Sequence, residues 1–378
     1  MGSGDEKRLM AEKNADGHET GLLLELHTPI EDERPVLVTG NFNDWAIDPG
    51  RFQLTRLSPG HFQFRFPREK PPVFPLVYKY VKGGWDDQEV DAFGSIPPNR
   101  RLEKPQNLVV DHAPRWKSKG LSYEPGLLPS IQVISERFEI PQLIKTRRIA
   151  ALLPHDYHSS EKRYPVLYLQ DGQNLFDDYA PFGNWAVDKK LAVMAEQGLA
   201  DIIIISIDHA ADERIAEFTP SHQTKLGIGD GKKYARFLAD TLKPYVDQHF
   251  RTLPDRIHTG IGGSSMGGLI TIYAGLMYPE VYGRLMVFSP SLWVDPNIPH
   301  HGPSFGGPLA SKIYIYAGGK EGMSMIPNVN GYREALERGG KDTQNLEFKI
   351  SIDPEGEHNE EHWGREFPKA VEWLFFGR

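Results

Sequence analysis

What most constrains this chain is a series of compact apolar runs in its second half. "YPVLYLQD", "ADIIIISID", "RIHTGIGG", "YGRLMVFSP", "SKIYIYAGG" and "LEFKISID" are rich in Val, Ile, Leu and Tyr. Most lack the regular polar alternation of a strand with one face in water. Such runs suit strands covered on both sides, which requires helices packed on both faces of a mostly parallel sheet. Helical segments alternate with them at 185–197, 232–250, 269–277, 331–338 and 367–376, with a kink expected at Pro244. "IQVISERF" and "RRIAALLP" precede the series and read as an opening antiparallel pair.

The first part of the chain has a different grammar. "GLLLELHT", "PVLVTGNF", "GHFQFRFP" and "PLVYKYV" are short and extended, with "DPG", "SPG" and "KGG" as turns between them. "HFQFRF" alternates as a half-buried strand should. These features predict a small all-β sandwich over residues 21–112, preceded by a polar, disordered leader over 1–20. Residues 113–130 are interrupted by Pro and Gly and read as a linker to an α/β domain over 131–378.

Composition removes several classes of function. With 378 residues, 39% of them hydrophobic and 25% charged, the chain has ample side chain for two cores. Its formal charge of −8 argues against a nucleic-acid partner or an anionic membrane surface, either of which needs a basic patch. There is no cysteine, so disulfides, thiolate catalysis and Cys-based metal sites are excluded. No apolar run approaches the roughly 20 residues that span a bilayer. The N-terminus lacks the apolar core of a signal peptide. The expectation is a cytoplasmic location if this N-terminus is the native one, and a secreted or periplasmic one if a signal peptide has been removed.

The run "IGGSSMGGLI" contains Gly263-Ser264-Ser265-Met266-Gly267, which fits G-x-S-x-G. A strand precedes it and an apolar helix follows, the context of a strand–turn–helix elbow. Glycines there let strand and helix pack closely around one strained residue. In this register that residue is Ser265, and Ser264 fills a crowded turn. The helix beginning after Ser265 aims free N–H groups at a developing oxyanion.

A serine hydroxyl needs a base. With elbows of this kind the chain order is Ser, acid, His. The downstream histidines are His300, His301, His358 and His362. His358 and His362 lie between the last strand and the last helix, where the base belongs. His358 is nearer the strand end and is preferred. A metal reading of H-x-x-x-H fails because Asn359, not Glu, follows the first His; no metal site is expected. Glu321, in the turn after "KIYIYAGG", is the preferred acid, in competition with Asp295 one strand earlier. Its role is to orient His358 and stabilise the imidazolium. The "DGQN" turn is expected to supply a second oxyanion donor, the N–H of Gln173, beside that of Met266. Asp171 and Asn174 would brace the loop.

With these residues in view, the segments "PVLYLQDGQNLFD", "IIISIDHAADERIAEFTP", "TGIGGSSMGGL", "VFSPSLW", "YAGGKEG" and "GEHNEEHW" resemble the putative esterase (esterase D-like) α/β-hydrolase family, and within it the enterochelin-esterase-like branch. Feruloyl esterases, acetyl xylan esterases and mycolyltransferases belong to the same broader family. The resemblance covers roughly residues 130–378. It implies an α/β-hydrolase fold with Ser265 as nucleophile, His358 as base and Glu321 in the acid position, where many relatives carry Asp. Arg214 and Glu217 match the family's "R…E-F-T-P" segment, to line the substrate site or to brace a loop by an ion pair. "VLVTGNFNDW", "YKYVKGGW" and "NLVV" resemble early-set, immunoglobulin-like sandwiches of glycogen- and starch-binding modules. That likeness implies glycan contact through Trp45, Lys79, Trp85 and Asn107, or else packing of the two tryptophans.

The expected activity is that of a serine carboxylic-ester hydrolase working through an acyl-enzyme without metal or organic cofactor. Its substrate is a small-molecule ester or one linked to polysaccharide. Trp185 and Trp293 are candidate pocket walls for an aryl or bulky acyl group, or core residues. The alternatives are feruloyl or acetyl ester cleavage on plant polysaccharide, acyl transfer to a sugar hydroxyl, and a non-catalytic carbohydrate-binding protein.

Overall fold

A computed structural model describes residues 21–29, 33–67, 69–298, 309–338 and 345–377. The expected leader and the pair His300 and His301 lie outside the described residues. The chain divides into two units, at Tyr123 and Glu124.

Among its described residues the first unit is all-β apart from one helical turn. Its strands are β1 (Leu23–His27), β2 (Val36–Gly40), β3 (Thr55–Ser58), β4 (His61–Arg65), β5 (Leu76–Lys82), β6 (Gly84–Val90), β7 (Arg100–Leu102), β8 (Leu108–His112) and β9 (Arg115–Trp116). They form one sheet in the order β3-β4-β1-β8 and a second in the order β2-β5-β6-β9, with β7 paired to β5. Alternation drives the layering. In β1, Leu24 and Leu26 point inward while Glu25 and His27 face out. The inward set, with Phe62, Phe64, Tyr78 and Tyr80, makes the core.

The expected linker needs correction. Glu89 pairs with Trp116 and Val90 with Arg115, and the Trp116 ring is buried in the sandwich core. A two-residue strand between Pro114 and Gly120 is too short to show any periodicity, so it reads as loop.

The carbohydrate reading of this unit is also corrected in part. Lys79 is buried and donates to the carbonyl of Pro97 at 2.9 Å. Asn107 adjoins β8 in the sheet that does not contain Lys79 or Trp85. Trp45 and Trp85 do meet, with ring centroids 6.2 Å apart and planes inclined by 40°.

The second unit contains β10 (Ser130–Ile140), β11 (Lys145–Leu153), β12 (Val166–Leu169), β13 (Ile203–Ile207), β14 (Thr259–Ser264), β15 (Arg284–Phe288), β16 (Ser311–Gly318) and β17 (Leu346–Asp353). They form one sheet in the order β10-β11-β13-β12-β14-β15-β16-β17. The first two pairings, β10 with β11 and β11 with β13, are antiparallel, and every later pairing in that order is parallel. The central strands β12 to β15 are almost wholly buried, as their unbroken apolar runs require. Ligands of open parallel sheets gather at the carboxyl ends of the strands, so this topology brings four distant segments to one rim.

Three helix expectations change, the first being that the helix expected at 331–338 begins at Met325. The segment 232–250 forms helices Gly231–Phe237 and Lys243–His249 around a π-turn at Leu238–Leu242, because Pro244 has no N–H to continue the ladder. The last helix begins at Glu360, seven residues earlier than its apolar pattern suggested. Its first turn is acidic and carries Asn359 as N-cap, whose side chain accepts the His362 N–H at 3.1 Å. Among the described residues, no helix is long and apolar enough to cross a membrane.

Candidate active site

Ser265 stands between β14 and the helix Met266–Met277 with φ 57° and ψ −120°. This region costs a non-glycine residue on the order of 1–3 kcal/mol. The cost is offset by a dense set of backbone bonds. The Ser265 N–H donates to Phe288 O at 2.9 Å, and its carbonyl accepts from Ser291 and Leu269 at 3.0 and 3.1 Å. Glycine is needed on either side because strand and helix nearly touch. A Cβ on Gly263 would come within 2.9 Å of the Gly267 carbonyl.

The ends of the next three parallel strands complete the arrangement. Ser289 follows β15, Glu321 follows β16, and His358 follows β17. The Ser265 Oγ lies 3.0 Å from His358 Nε2. His358 Nδ1 lies 2.7 Å from Glu321 Oε2. The other oxygen of Glu321 accepts the Gly318 N–H and the Ser289 hydroxyl, each at 2.6 Å. Ser289 in turn accepts from Trp363 Nε1 at 2.9 Å. The Trp363 ring also meets the His358 ring edge-on, with centroids 4.9 Å apart. The Glu321 side chain is fully buried, whereas that of His358 is 40% exposed. The hydrogen-bonded line thus starts in the core and ends in solvent-accessible space.

That space is a cleft of about 360 Å³ lined by Ser264, Ser265 and His358 together with Asp171, Asn174, Phe182, His209, Arg214, Glu360 and Trp363. Its floor carries a bidentate ion pair: Arg214 Nε and Nη2 donate to the two oxygens of Asp171 at 2.6 and 2.7 Å. Burial works against the Arg214 charge, but the Asp171 carboxylate outweighs it and raises the pKa. Burial raises the Glu360 carboxyl above its ordinary range. It lowers His209, which favours neutral imidazole.

The remaining expected residues separate clearly. Met266 is the first residue of the helix after Ser265. Gln173 lies in the short turn Gly172–Asn174, tied to His209 by its side chain at 2.9 Å to the N–H and 3.0 Å to the carbonyl. Ser264 is buried at the strand end. Asp295 is engaged with His222 Nε2 at 2.7 Å, and His362 Nδ1 bonds the Asn359 cap at 2.9 Å.

Three substrate-contact expectations are corrected. Trp185 is a core residue, stacked on Phe288 and tilted against Trp363, because its run enters a buried helix start. Glu217 is fully buried and pairs with Arg147 at 2.7 Å, not with Arg214. Trp293 is 46% exposed, two residues past Ser291, and is not part of the cleft lining.

Sequence reasoning missed Ser289, Ser291, Phe182, His209 and Glu360. Ser291 Oγ stands 3.3 Å from Ser265 Oγ. Ser289 and Ser291 lie in "VFSPSLW" and His209 in "SIDHAADE", segments distinctive enough to be singled out. Phe182 has no comparable signal.

The family model described as "Putative esterase" matches residues 141–374, more than half of the chain and nearly all of the second unit. The chain belongs to this esterase family.

Similar proteins include the uncharacterised YbbA of Bacillus subtilis, 24% identical over 242 residues, which are 61% of this chain and 92% of YbbA. The iron(III) salmochelin esterase of Escherichia coli is 24% identical over 193 residues, 50% of this chain and 41% of that protein. The enterobactin esterase of Shigella flexneri has a similar fold, with a TM-score of 0.52 at 16% identity, covering 94% of this chain and 93% of that one. The esterase described here is thus similar in sequence to the salmochelin esterase and in fold to the enterobactin esterase.

Proposed function

We propose that this chain is a serine carboxylic-ester hydrolase of the enterochelin-esterase-like kind, with Ser265, His358 and Glu321 as its triad. The observation that carries the proposal is the strained Ser265, its Oγ 3.0 Å from His358 Nε2 at the open end of a line anchored by buried Glu321. In the neutral imidazole, Nδ1–H donates to Glu321, leaving Nε2 to accept the serine proton as Oγ attacks the ester carbonyl. The negative oxygen then meets the N–H groups of Met266 and Gln173 at the helix start and the "DGQN" turn. His358, now doubly protonated beside an ionised carboxylate, returns its proton to the leaving alkoxide. Water repeats the cycle on the acyl-enzyme. Ser291 Oγ is close enough to orient the Ser265 hydroxyl between turnovers.

Exposure of His358 favours hydrolysis over transfer, since water reaches the base directly. Phe182 and Trp363 on the cleft wall suit an aryl-bearing ester. An aryl ester is therefore the substrate class, of the siderophore type by likeness to the salmochelin esterase or of the feruloyl type by likeness to a xylanase/feruloyl esterase. The Ser265→Ala variant is expected to lose about 10⁴-fold or more in kcat on p-nitrophenyl acetate, while Ser264→Ala keeps activity within a few-fold. Comparable activity in the two variants would remove Ser265 from its role. Cleavage of a catecholate triester but not a feruloyl sugar would fix the siderophore type.

A glycan contact is supported by the Trp45–Trp85 pair alone, with Trp85 40% exposed. Retention of the wild type on insoluble starch, lost in Trp85→Ala, would establish it; equal retention of both would end it.

A further inference from the structure

The outer face of the first sheet carries a row of histidines that the esterase reaction does not use. In the register of β4, β1 and β8, His61 stands opposite His27, and His27 opposite His112. All three therefore occupy one line across three strands. The His27 ring stacks on His61 at 4.4 Å and on His112 at 5.3 Å between centroids. Glu25 lies two residues before His27 on the same strand and the same outward face.

Two positions spaced by two along one strand, with a third directly opposite, aim three side chains at one point above a sheet. Glu25, His27 and His61 each offer one ligand atom, and these atoms all lie within 4.8 Å of one another. Among the described residues this is the only such group of His and carboxylate side chains. The His61 Nε2 atom is buried, has no hydrogen-bond partner, and lies 3.7 Å from Glu25 Oε2, beyond hydrogen-bond reach. A buried ring nitrogen without a hydrogen-bond partner is a cost to the fold that a ligand would relieve. Zinc requires donors at roughly 2.0–2.2 Å, and the soft terminal torsion of an imidazole is the freedom by which these rings would turn toward it.

We propose that Glu25, His27 and His61 bind a divalent transition cation of the zinc type, with His112 stacked on His27 outside the donor set. Two imidazoles and one carboxylate are a borderline-soft set that selects such cations over calcium or magnesium. Glu25, His27 and His61 come from two strands and match no linear motif, so the group is not legible in the sequence. Bound there, the ion would clip β1 to β4 in a unit without disulfides.

The test is equilibrium dialysis of the full chain against zinc, with a parallel thermal melt. One zinc per chain is expected, together with a higher unfolding midpoint. Affinity should fall about tenfold or more in both His27→Gln and His61→Gln, and less in His112→Gln. Far-UV circular dichroism and the zinc-free midpoint of each variant show whether it is folded. If either variant is unfolded, Glu25→Gln takes its place. Absence of saturable binding by the wild type overturns the proposal. So does a folded His27→Gln or His61→Gln variant that binds zinc as well as the wild type, since the ion would then sit elsewhere.

Discussion

Each unit of this protein buries a carboxylate in a hydrogen-bonded network, and the two networks end differently. In the sandwich, Asp111 accepts from the Tyr78 and Tyr80 hydroxyls at 2.9 and 2.8 Å and from Arg100 at 2.9 Å. Arg100 continues to Glu89, itself buried, at 2.7 Å. Every branch described returns to the sandwich. Burial and the Asp111 charge push the Tyr78 phenol far above its ordinary pKa, so it stays a donor. In the esterase unit, Glu321 is held as tightly, yet one partner, His358, opens to the cleft and reaches Ser265. A closed network of this kind specifies a fold. One with an exposed end is able to pass a proton.

That contrast breaks first at Glu321. The Glu321→Gln variant preserves shape but removes the charge that supports the imidazolium, and kcat should fall about 10⁴-fold, with the unfolding curve little changed. Stopped-flow or steady-state assay on the folded variant checks it. A loss below tenfold would reduce Glu321 to a structural residue like Asp111.

The reciprocal change is Arg100→Ala. It leaves Glu89 and Asp111 buried without their cation, and should destabilise the sandwich by about 3–5 kcal/mol. Calorimetry should show the earlier melting, while kcat of the folded fraction stays constant. A fall in kcat matching that at Glu321 would make the two networks one.

A smaller effect tests the inner end of the proposed catalytic line. Ser289→Ala leaves Trp363 Nε1 and one Glu321 oxygen short of a partner, a loss of about 1.5–3 kcal/mol for a bond to a charged group. The expected reading is a fall in kcat with KM nearly constant. Unchanged kcat would confine Ser289 to packing.

The smallest effect concerns Asp208, close to the Gln173 turn. Burial raises its carboxyl to about 6, against the opposing charge of Arg148. The native state therefore binds the proton more tightly than the unfolded chain. Stability from this group is present below its ordinary carboxyl pKa and is lost as pH rises through about 6. Asp208→Asn should remove that loss, giving about 1–3 kcal/mol at pH 8 and little at pH 4. Urea titrations at the two pH values measure it, and an equal change at both would refute the cause.

Much of this was legible in the chain itself. The apolar runs became a mostly parallel sheet because a strand buried on both faces tolerates few polar residues. The elbow was legible because one strained residue needs small neighbours on both sides. Sequence reading failed where a segment's role depended on a distant partner. The segment with Arg214 and Glu217 leaves their partners open, and the fold gives Arg214 to Asp171 and Glu217 to Arg147. The Trp116 strand was hidden among Pro and Gly, and the start of the last helix behind an acidic first turn.

Local sterics and hydrophobic period act over a few residues, and they decided the two-unit plan, the α/β class and the strained turn at Ser265. Side-chain partners are decided by which strands lie adjacent and in what register. The neighbouring ends of β14, β15, β16 and β17 put Ser265, Ser289, Glu321 and His358 on one line. The alignment of β4, β1 and β8 set three histidines in a row. Both contacts join residues far apart in the chain, whose approach costs entropy that only the assembled sheets offset.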